Sequence, residues 1–183
     1  MSERLIVGLS GHSGTGKSTI CNYMKAEHGF LVLEGSTILK QYASEAGVSL
    51  TSRDTYEDFF RQRQRSHGKT WLSDITLSTA GDRVLQGGLR SKYDLHNIKR
   101  AGGFVLALIC PPLVALQRID TSNPKNPRTA DEYEQHLVLE ESADDYGLNT
   151  AWCVANADYS IDTANPLEQT YADIDKALSE MTK

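Results

Sequence analysis

The sequence predicts an α/β domain of three layers, in which a mostly parallel five-stranded sheet lies between two layers of helices. Short apolar runs alternate along the chain with longer stretches of helical periodicity, as in domains built from parallel strands and crossover helices. The 183 residues, 39% of them hydrophobic, suffice for one domain with its own core. We therefore treat residues 1–183 as a single domain.

Five segments are predicted as strands because they are short, apolar and bounded by turn residues. The fourth is the clearest buried strand, and Pro111 and Pro112 stop it because proline cannot donate to a sheet. The third is weaker. In chain order the predicted strands are 4–10, 29–35, 82–88, 103–110 and 157–162.

Helical periodicity predicts helices over 18–28, 36–47, 113–119, 131–147 and 166–181. Between the third and the fourth of these lies the segment 120–131, which is rich in Pro, Asn, Ser and Thr and is the most loop-like part of the chain. We predict that it forms a small lid.

The composition argues against several kinds of protein. The sequence contains no apolar run of roughly 18 residues, and its start lacks the pattern of a signal peptide, so we expect a soluble, cytoplasmic protein without membrane contact. Cys21, Cys110 and Cys153 form no C-x-x-C pair, which argues against a zinc site and favours buried thiols. The net charge of -5 argues weakly against a non-specific nucleic-acid binder.

The segment 11–18, GHSGTGKS, matches G-x-x-x-x-G-K-[ST] at every fixed position and lies between a predicted strand and a predicted helix. Glycines leave backbone amides uncovered, so successive N–H groups can bind phosphate oxygens. Lys17 would neutralise the β- and γ-phosphates of ATP, and the Ser18 hydroxyl would coordinate Mg²⁺. The residues assigned to the triphosphate are Gly11, His12, Ser13, Gly14, Thr15, Gly16, Lys17, Ser18 and Thr19.

Three further segments follow the phosphate loop in a recognisable order. They are QGGLRSKYDL (86–95), ALICPPLVALQRI (107–119) and ADYSIDTAN (157–165). With GHSGTGKST they make the chain resemble the P-loop nucleoside monophosphate kinase-like family, especially its adenylate-kinase-like and dephospho-coenzyme-A-kinase-like members. A GTPase would need an N-K-x-D element, which this sequence lacks.

The resemblance implies roles for several cations. Arg90 would grip the acceptor or the transferring phosphate, Arg118 would lie near the triphosphate, and Lys125 and Arg128 of the lid would close over the phosphates. For Arg90 the alternative is a surface residue or a structural partner of a carboxylate. For the lid cations the alternative is an ordinary solvated loop.

The chain departs from the family pattern at two places. Gly87 replaces the aspartate that ends the family's third strand, and Asp82 lies too far back to substitute for it. After the second strand, Thr37 and Lys40 stand where the family commonly has an acidic residue and an arginine. The departures indicate an unusual acceptor and leave open which carboxylate serves the Mg²⁺ side.

The segment of about 37–80 is predicted as an acceptor-binding insertion, since it must line the carboxyl edge of the sheet beside the phosphate loop. It mixes cations with aromatic rings, which suits a nucleotide, although an amphipathic helix with solvated arginines explains the same pattern. The residues concerned are Arg53, Arg61, Arg63, Arg65, Lys69, Tyr56, Phe59, Phe60, Trp71 and His67.

The preferred function is ATP- and Mg²⁺-dependent transfer of the γ-phosphate to a small-molecule nucleotide, with a (deoxy)nucleoside monophosphate as the acceptor. The first alternative is a hydroxyl acceptor, such as dephospho-coenzyme A or a hydroxymethylpyrimidine in DNA, for which Glu34, and after it Asp74, would be the catalytic base. The second alternative is a non-catalytic ATP-binding regulatory module. The residues assigned to catalysis are Lys17, Arg90, Arg118, Arg128 and Glu34, and the oligomeric state stays open.

Overall fold

The computed structural model describes residues 4–122, 126–141 and 145–182. Within these residues five strands form one sheet, and every pair of neighbours is parallel. The strands are β1 (Leu5–Ser10), β2 (Leu31–Glu34), β3 (Arg83–Leu89), β4 (Phe104–Ile109) and β5 (Tyr159–Asp162). Their order is β2-β3-β1-β4-β5. All five predicted strands are confirmed, and the sheet is wholly parallel.

Helices cover both faces of the sheet. They are α1 (Lys17–His28), α2 (Gly35–Glu45), α3 (Arg53–His67), α4 (Trp71–Ser78), α5 (Lys92–Arg100), α6 (Pro112–Arg118), α7 (Ala130–Leu139), α8 (Thr150–Ala155) and α9 (Leu167–Met181). The three-layer fold predicted from the sequence is therefore confirmed. Periodicity does not predict α4, α5 and α8, which have 8, 9 and 6 residues, and it gives the 15-residue α3 only as the alternative for its segment.

The helix predicted over 131–147 is too long. It ends at Leu139, and beyond it Glu141 forms an isolated antiparallel bridge with Asn149. The acidic composition of this stretch suits a solvated helix, but the backbone partner across the bridge decides the conformation of Glu141. The outcome places Glu140 at the end of the helix instead of within it.

The core consists of two apolar layers that meet at the central strand. On one face, Val7 and Leu9 of β1 pack against α1 and α9. On the other face, Ile6 packs against α5 and α8. Every residue of β1 is buried, as expected for a strand covered on both faces by crossover helices. The phosphate loop therefore starts from the most completely buried strand of the sheet.

A third apolar cluster holds α2, α3 and α4 together beside the β2–β3 edge. Its buried members are Leu39, Ala43, Phe59, Phe60, Trp71 and Leu72. Most of the segment of about 37–80 thus forms three helices that pack together, and Phe59 and Trp71 are buried between them. Of the two alternatives considered for this segment, the amphipathic helix is correct for Phe59.

The three cysteines are free thiols. Cys21 and Cys153 are buried, and burial raises the pKa of Cys21 to about 12 and that of Cys153 still further. Cys110 is partly exposed.

Among the helices of the described ranges, none has the length and apolar character that a membrane crossing requires.

Candidate active site

The glycine-rich loop joins β1 to α1 at the carboxyl edge of the sheet. Gly14 has a φ of +81°, and a Cβ atom there would lie 2.3 Å from the Ala115 carbonyl oxygen. Gly16 caps α1 with a φ of +86°, and no side chain of the described residues caps that helix with a hydrogen bond. The N-terminus of α1 therefore presents uncapped N–H groups, which is the arrangement that binds phosphate.

Lys17 folds back over this loop. Its Nζ donates to the carbonyl oxygens of Gly11 (2.7 Å) and His12 (2.6 Å). Burial, followed by the positive charge of Arg90, lowers the pKa of Lys17 to about 7, whereas the charge of Glu140 acts in the opposite direction. Lys17 is thus prepared to gain a proton when an anion arrives.

Two cavities meet beside Lys17. The first cavity has a volume of about 420 Å³ and lies between α2, α3 and the ends of β2 and β3. The second cavity has a volume of about 610 Å³ and lies between the phosphate loop, α6 and the loop after β5. The residues that line both are Lys17, Ser18, Arg90 and Asn126. A group bound in one cavity can therefore meet a group bound in the other at this junction.

The second cavity suits a nucleoside triphosphate. Its walls include Gly14, Gly16 and Thr19 from the predicted triphosphate set. Arg118 also lines it, and its guanidinium donates to the Thr163 carbonyl oxygen at 2.7 Å and to the Thr163 hydroxyl at 3.3 Å. The structure therefore places Arg118 on the side where the resemblance expects it.

The first cavity combines cations, aromatic rings and three carboxylates, which belong to Glu34, Glu57 and Asp94. Arg53, Tyr56 and Phe60 of α3 line it, together with Lys40 of α2 and Glu34 at the end of β2. Lys40, which stands in place of a family arginine, thus reaches the cavity. A site of this kind can hold a small anionic molecule with both polar and apolar surfaces.

The remaining cations of the predicted acceptor segment contact other side chains of the protein and do not line the first cavity. Arg61 forms an ion pair with Glu57 at 3.0 Å, and Arg63 lies 4.3 Å from the centre of the Tyr42 ring. Lys69 forms an ion pair with Asp145. Arg65 lies over the Tyr146 ring, and His67 is exposed beside Ser66. The sequence alone does not show that Arg53 lines the cavity and that these residues do not.

Glu34 lies beside Gly87. The two residues are partners in the β2–β3 register, and a Cβ atom on Gly87 would lie 3.4 Å from Glu34 Cγ and 3.0 Å from Cys21 Sγ. The side chain of Glu34 therefore occupies the space next to the glycine. Within the described part of the chain, the Glu34 carboxylate has no hydrogen-bond or ion-pair partner.

Two other carboxylates differ from Glu34 in their surroundings. Asp74 accepts hydrogen bonds from the Thr70 hydroxyl (2.9 Å) and from Asn97 Nδ2 (2.8 Å), so it is engaged between α4 and α5 and does not line the first cavity. Asp94 lines that cavity and is buried, and burial raises its pKa to about 7. The structure thus separates Asp74, the second candidate base, from the site.

Glu140 is the site residue that the sequence does not reveal. It is fully buried and accepts hydrogen bonds from Arg53 Nη2, Arg90 Nη1 and His12 Nδ1, each at 2.7 Å. Burial alone would raise the pKa of Glu140, but the charge of Arg90, the hydrogen bond from His12 and the charge of Arg53 lower it far below its ordinary value. No local pattern distinguishes Glu140 from the other acidic residues around it.

Only part of the predicted lid can be located. Lys125 lies outside the described residues. Arg128 is exposed and does not line either cavity, and its backbone N–H donates to Glu132 at 2.7 Å. Asn126 lines both cavities instead. In this conformation the lid brings an amide, and not the Arg128 guanidinium, to the junction.

Comparisons with known proteins bear on the fold. A family model described as an AAA domain matches residues 7–142. The comparison with curated protein sequences finds no match. A solved shikimate kinase from Acinetobacter baumannii, in complex with shikimate, is 19% identical with a TM-score of 0.69, and the alignment covers 100% of this chain and 97% of that one.

Two further solved structures are similar along their whole length. A gluconokinase from Sinorhizobium meliloti 1021 is 17% identical with a TM-score of 0.59, covering 99% of this chain and 94% of that one. A shikimate kinase from Bacteroides thetaiotaomicron is 15% identical with a TM-score of 0.62, and the alignment covers 97% of this chain and 98% of that one. At these identities the likeness shows the fold, and it confirms the predicted P-loop kinase architecture.

Proposed function

Because the chain belongs to the AAA domain family and has the fold of small P-loop kinases, we propose that it is an ATP- and Mg²⁺-dependent kinase. Its acceptor is a hydroxyl group on a small anionic molecule held in the first cavity. The observation that carries this proposal is the carboxylate of Glu34, which has no partner among the described residues and shares that cavity with Lys17 and Ser18.

A carboxylate in this place favours an alcohol over a phosphate as the acceptor. An alcohol must lose its proton as it attacks, and a nearby base that is free of other partners can take it. A monophosphate is already ionised and needs no base. It would also be repelled by Glu34, since like charges close together in a partly buried site raise each other's energy.

ATP would occupy the second cavity. The uncapped amides of α1 and Lys17 would bind its phosphates, and Arg118 would lie beside them. The exposed Ser18 hydroxyl at the junction fits a Mg²⁺ ligand, and no cluster of three or more His, Cys, Asp or Glu side chains within the described ranges offers another metal site. Bound Mg²⁺ would neutralise charge on the β- and γ-phosphates.

Other residues of the chain would bind the acceptor, stabilise the transferring phosphoryl group and accept the proton. Arg53 and Lys40 would bind the anionic group of the acceptor, and so orient its hydroxyl toward Glu34. Arg90, at the junction of both cavities, would stabilise the transferring phosphoryl group. Glu34 would receive the hydroxyl proton. The carboxylate that the family has at position 87 is thereby supplied from the neighbouring strand.

A (deoxy)nucleoside monophosphate is the second candidate acceptor. Tyr56 and Phe60 line the first cavity with Arg53, so a base and a phosphate would both find suitable partners there. A monophosphate acceptor needs no base, so this candidate does not explain the presence of Glu34 in the cavity.

An acceptor screen tests the proposal. The protein, ATP and Mg²⁺ are incubated with hydroxylated carboxylates, sugar acids and nucleoside monophosphates, and the products are analysed by mass spectrometry. A phosphate monoester on a hydroxyl is the expected product. A nucleoside diphosphate would favour the second candidate, and ATP binding without any product would favour a regulatory module.

ATP binding is expected to take up a proton at pH 8. Free Lys17 has a pKa of about 7 and is mostly neutral at that pH, and phosphate oxygens beside it would raise the pKa and protonate it. The groups that act on Lys17 are Arg90, Glu140, Arg53 and Cys21. Calorimetry in buffers of different ionisation enthalpy should detect uptake of up to about one proton at pH 8.

The same titration at pH 6 is the control for the proton uptake. Lys17 is already charged there, so binding of magnesium-saturated ATP should take up almost no proton. Heats that do not depend on the buffer at pH 8 would show that Lys17 is charged in the free protein, contrary to this prediction.

A further inference from the structure

A buried carboxylate connects the phosphate loop with the two arginines of the first cavity. Oε1 of Glu140 accepts from Arg53 Nη2, Arg90 Nη1 and the Ser13 hydroxyl, at 2.7, 2.7 and 2.9 Å, and Oε2 accepts from His12 Nδ1 at 2.7 Å. We call these five residues the Glu140 cluster. Both carboxylate oxygens are satisfied, as a fully buried charge requires.

The helix that carries Glu140 is attached to the phosphate loop along one face. Tyr133, His136 and Glu140 follow one another at helical spacing. The Tyr133 hydroxyl donates to the Ser13 carbonyl oxygen at 2.8 Å, and His136 Nε2 lies 3.0 Å from the Ser13 hydroxyl. Burial, followed by the charge of Arg53, lowers the pKa of His136 to about 4, so it stays neutral at pH 7. The carboxylate is therefore fixed relative to the loop.

Each arginine is held by a single nitrogen. Arg53 is bound to Glu140 through Nη2 and Arg90 through Nη1. A guanidinium has five N–H donors on three nitrogens, so each retains donors with no partner in the described residues. Both side chains line the first cavity. Those donors remain available to a ligand there.

The charges around Lys17 require an anion. Arg53 and Arg90 are like charges that share one carboxylate oxygen, and both act on Lys17 to lower its pKa. Without Glu140 the two guanidiniums would repel each other and move toward solvent, since each side chain is already about a fifth exposed (24% and 18%). Only a bound anion could then draw them together.

We propose that Glu140 is a positioning residue that anchors Arg53 and Arg90 as a pair, in a fixed place relative to the phosphate loop, before the acceptor binds. The proposal rests on the proposed function, because the pair would bind the anionic group of the acceptor and the transferring phosphoryl group. Preorganisation of this kind lowers the ordering that substrate binding must otherwise supply.

The test compares Glu140→Gln with Glu134→Gln, an exposed residue of α7 that undergoes the same change of charge. For Glu140→Gln, kcat with the best acceptor should fall about 10- to 100-fold and the KM for that acceptor should rise, whereas MgADP affinity should change by less than about threefold. Glu134→Gln should match the wild type. A purely structural role would lower the melting temperature and leave the kcat of the folded protein unchanged, which would overturn the proposal.

A second measurement does not depend on phosphoryl transfer. Phenylglyoxal modifies arginines, and peptide mass spectrometry locates the sites. Arg53 and Arg90 should react several-fold faster in Glu140→Gln than in the wild type, with Arg100 as an internal reference. If the wild type phosphorylates no acceptor, the proposed function fails, and labelling alone decides whether Glu140 anchors the pair. Equal labelling rates would refute the anchoring.

Glu140→Asp covers the case in which the amide variant does not fold. It retains the charge but shortens the side chain by one methylene, so it can reach fewer of its four partners. We expect kcat and labelling rates between those of the wild type and Glu140→Gln. Wild-type values for both would contradict the need for this geometry.

Discussion

Lys17→Met is expected to lower kcat/KM by about a thousandfold or more, which corresponds to about 4 kcal/mol of transition-state stabilisation. The ammonium group lies at the junction of both cavities, where charge on the transferring phosphoryl group would develop. Methionine keeps an unbranched apolar side chain that is one atom shorter, but it cannot donate a hydrogen bond or carry charge. A coupled assay of ADP formation with the acceptor found in the screen measures the effect.

The same substitution should not unfold the protein. The pKa of Lys17 is lowered in the folded state to about 7, below its ordinary value, so the folded protein binds fewer protons than the unfolded chain between about pH 7 and 10.5. The charged form is therefore unfavourable in the fold, and removing it should leave the melting temperature at pH 7 unchanged or higher. Lys25→Met, at an exposed position of α1, is the matched control. Retention of a tenth of the activity by Lys17→Met would contradict the assigned role.

Glu34→Gln is expected to lower kcat by about 10²- to 10⁴-fold, as loss of a general base does. The amide is nearly isosteric, so the register with Gly87 and the shape of the first cavity should be preserved. Affinity for MgATP should change only a few-fold because the triphosphate contacts lie in the second cavity. Glu27→Gln, at an exposed position of α1, should behave like the wild type.

This variant also distinguishes the two candidate acceptors. If the acceptor is a monophosphate, Glu34→Gln removes a repulsive charge and should leave kcat unchanged or raise it. If the acceptor is a hydroxyl, Glu34→Gln should lower turnover instead. An unchanged kcat with an alcohol acceptor would exclude Glu34 as the base.

The proposed acceptor chemistry depends on one substitution in the sheet. At Gly87 a larger residue would meet Cys21 and Glu34, and the Glu34 side chain lies in the space beside the glycine. At this level of the sheet the carboxylate therefore belongs to β2, since position 87 carries no side chain.

The sequence predicted the sheet and the phosphate loop well because both are encoded locally. Apolar runs of four to seven residues define the strands, and the GHSGTGKS segment needs its glycines for the backbone itself. Helices α4, α5 and α8 are not predicted because each gives few repeats of the helical pattern, whereas Pro111 and Pro112 mark where the equally short α6 begins. For α7 the length was overestimated, since the bridge from Glu141 to Asn149 is set by contacts outside the helix.

The candidate site was only partly predictable for a different reason. Glu34 and Arg90 are predictable because they lie at the ends of β2 and β3, which the parallel topology brings to one edge of the sheet. Arg53 lines the first cavity, whereas Arg61, Arg63 and Arg65 do not. The sequence cannot distinguish them, because the packing of α3 against α2 decides which of its arginines reaches the cavity. Asp74 is the second candidate base in the sequence, but Asn97 of α5 donates to its carboxylate and it does not line the first cavity.

The amino-acid sequence by itself determined the order of strands and helices along the chain and the loop that binds phosphate, because these depend on residues close together in the chain. Only the tertiary structure decided which charges meet. His12, Arg53, Arg90 and Glu140 come from four separate segments, and a carboxylate that is unremarkable in sequence becomes their common partner once the fold buries it. Burial makes that partnership necessary, since an unpaired charge in the interior is far costlier than one in water.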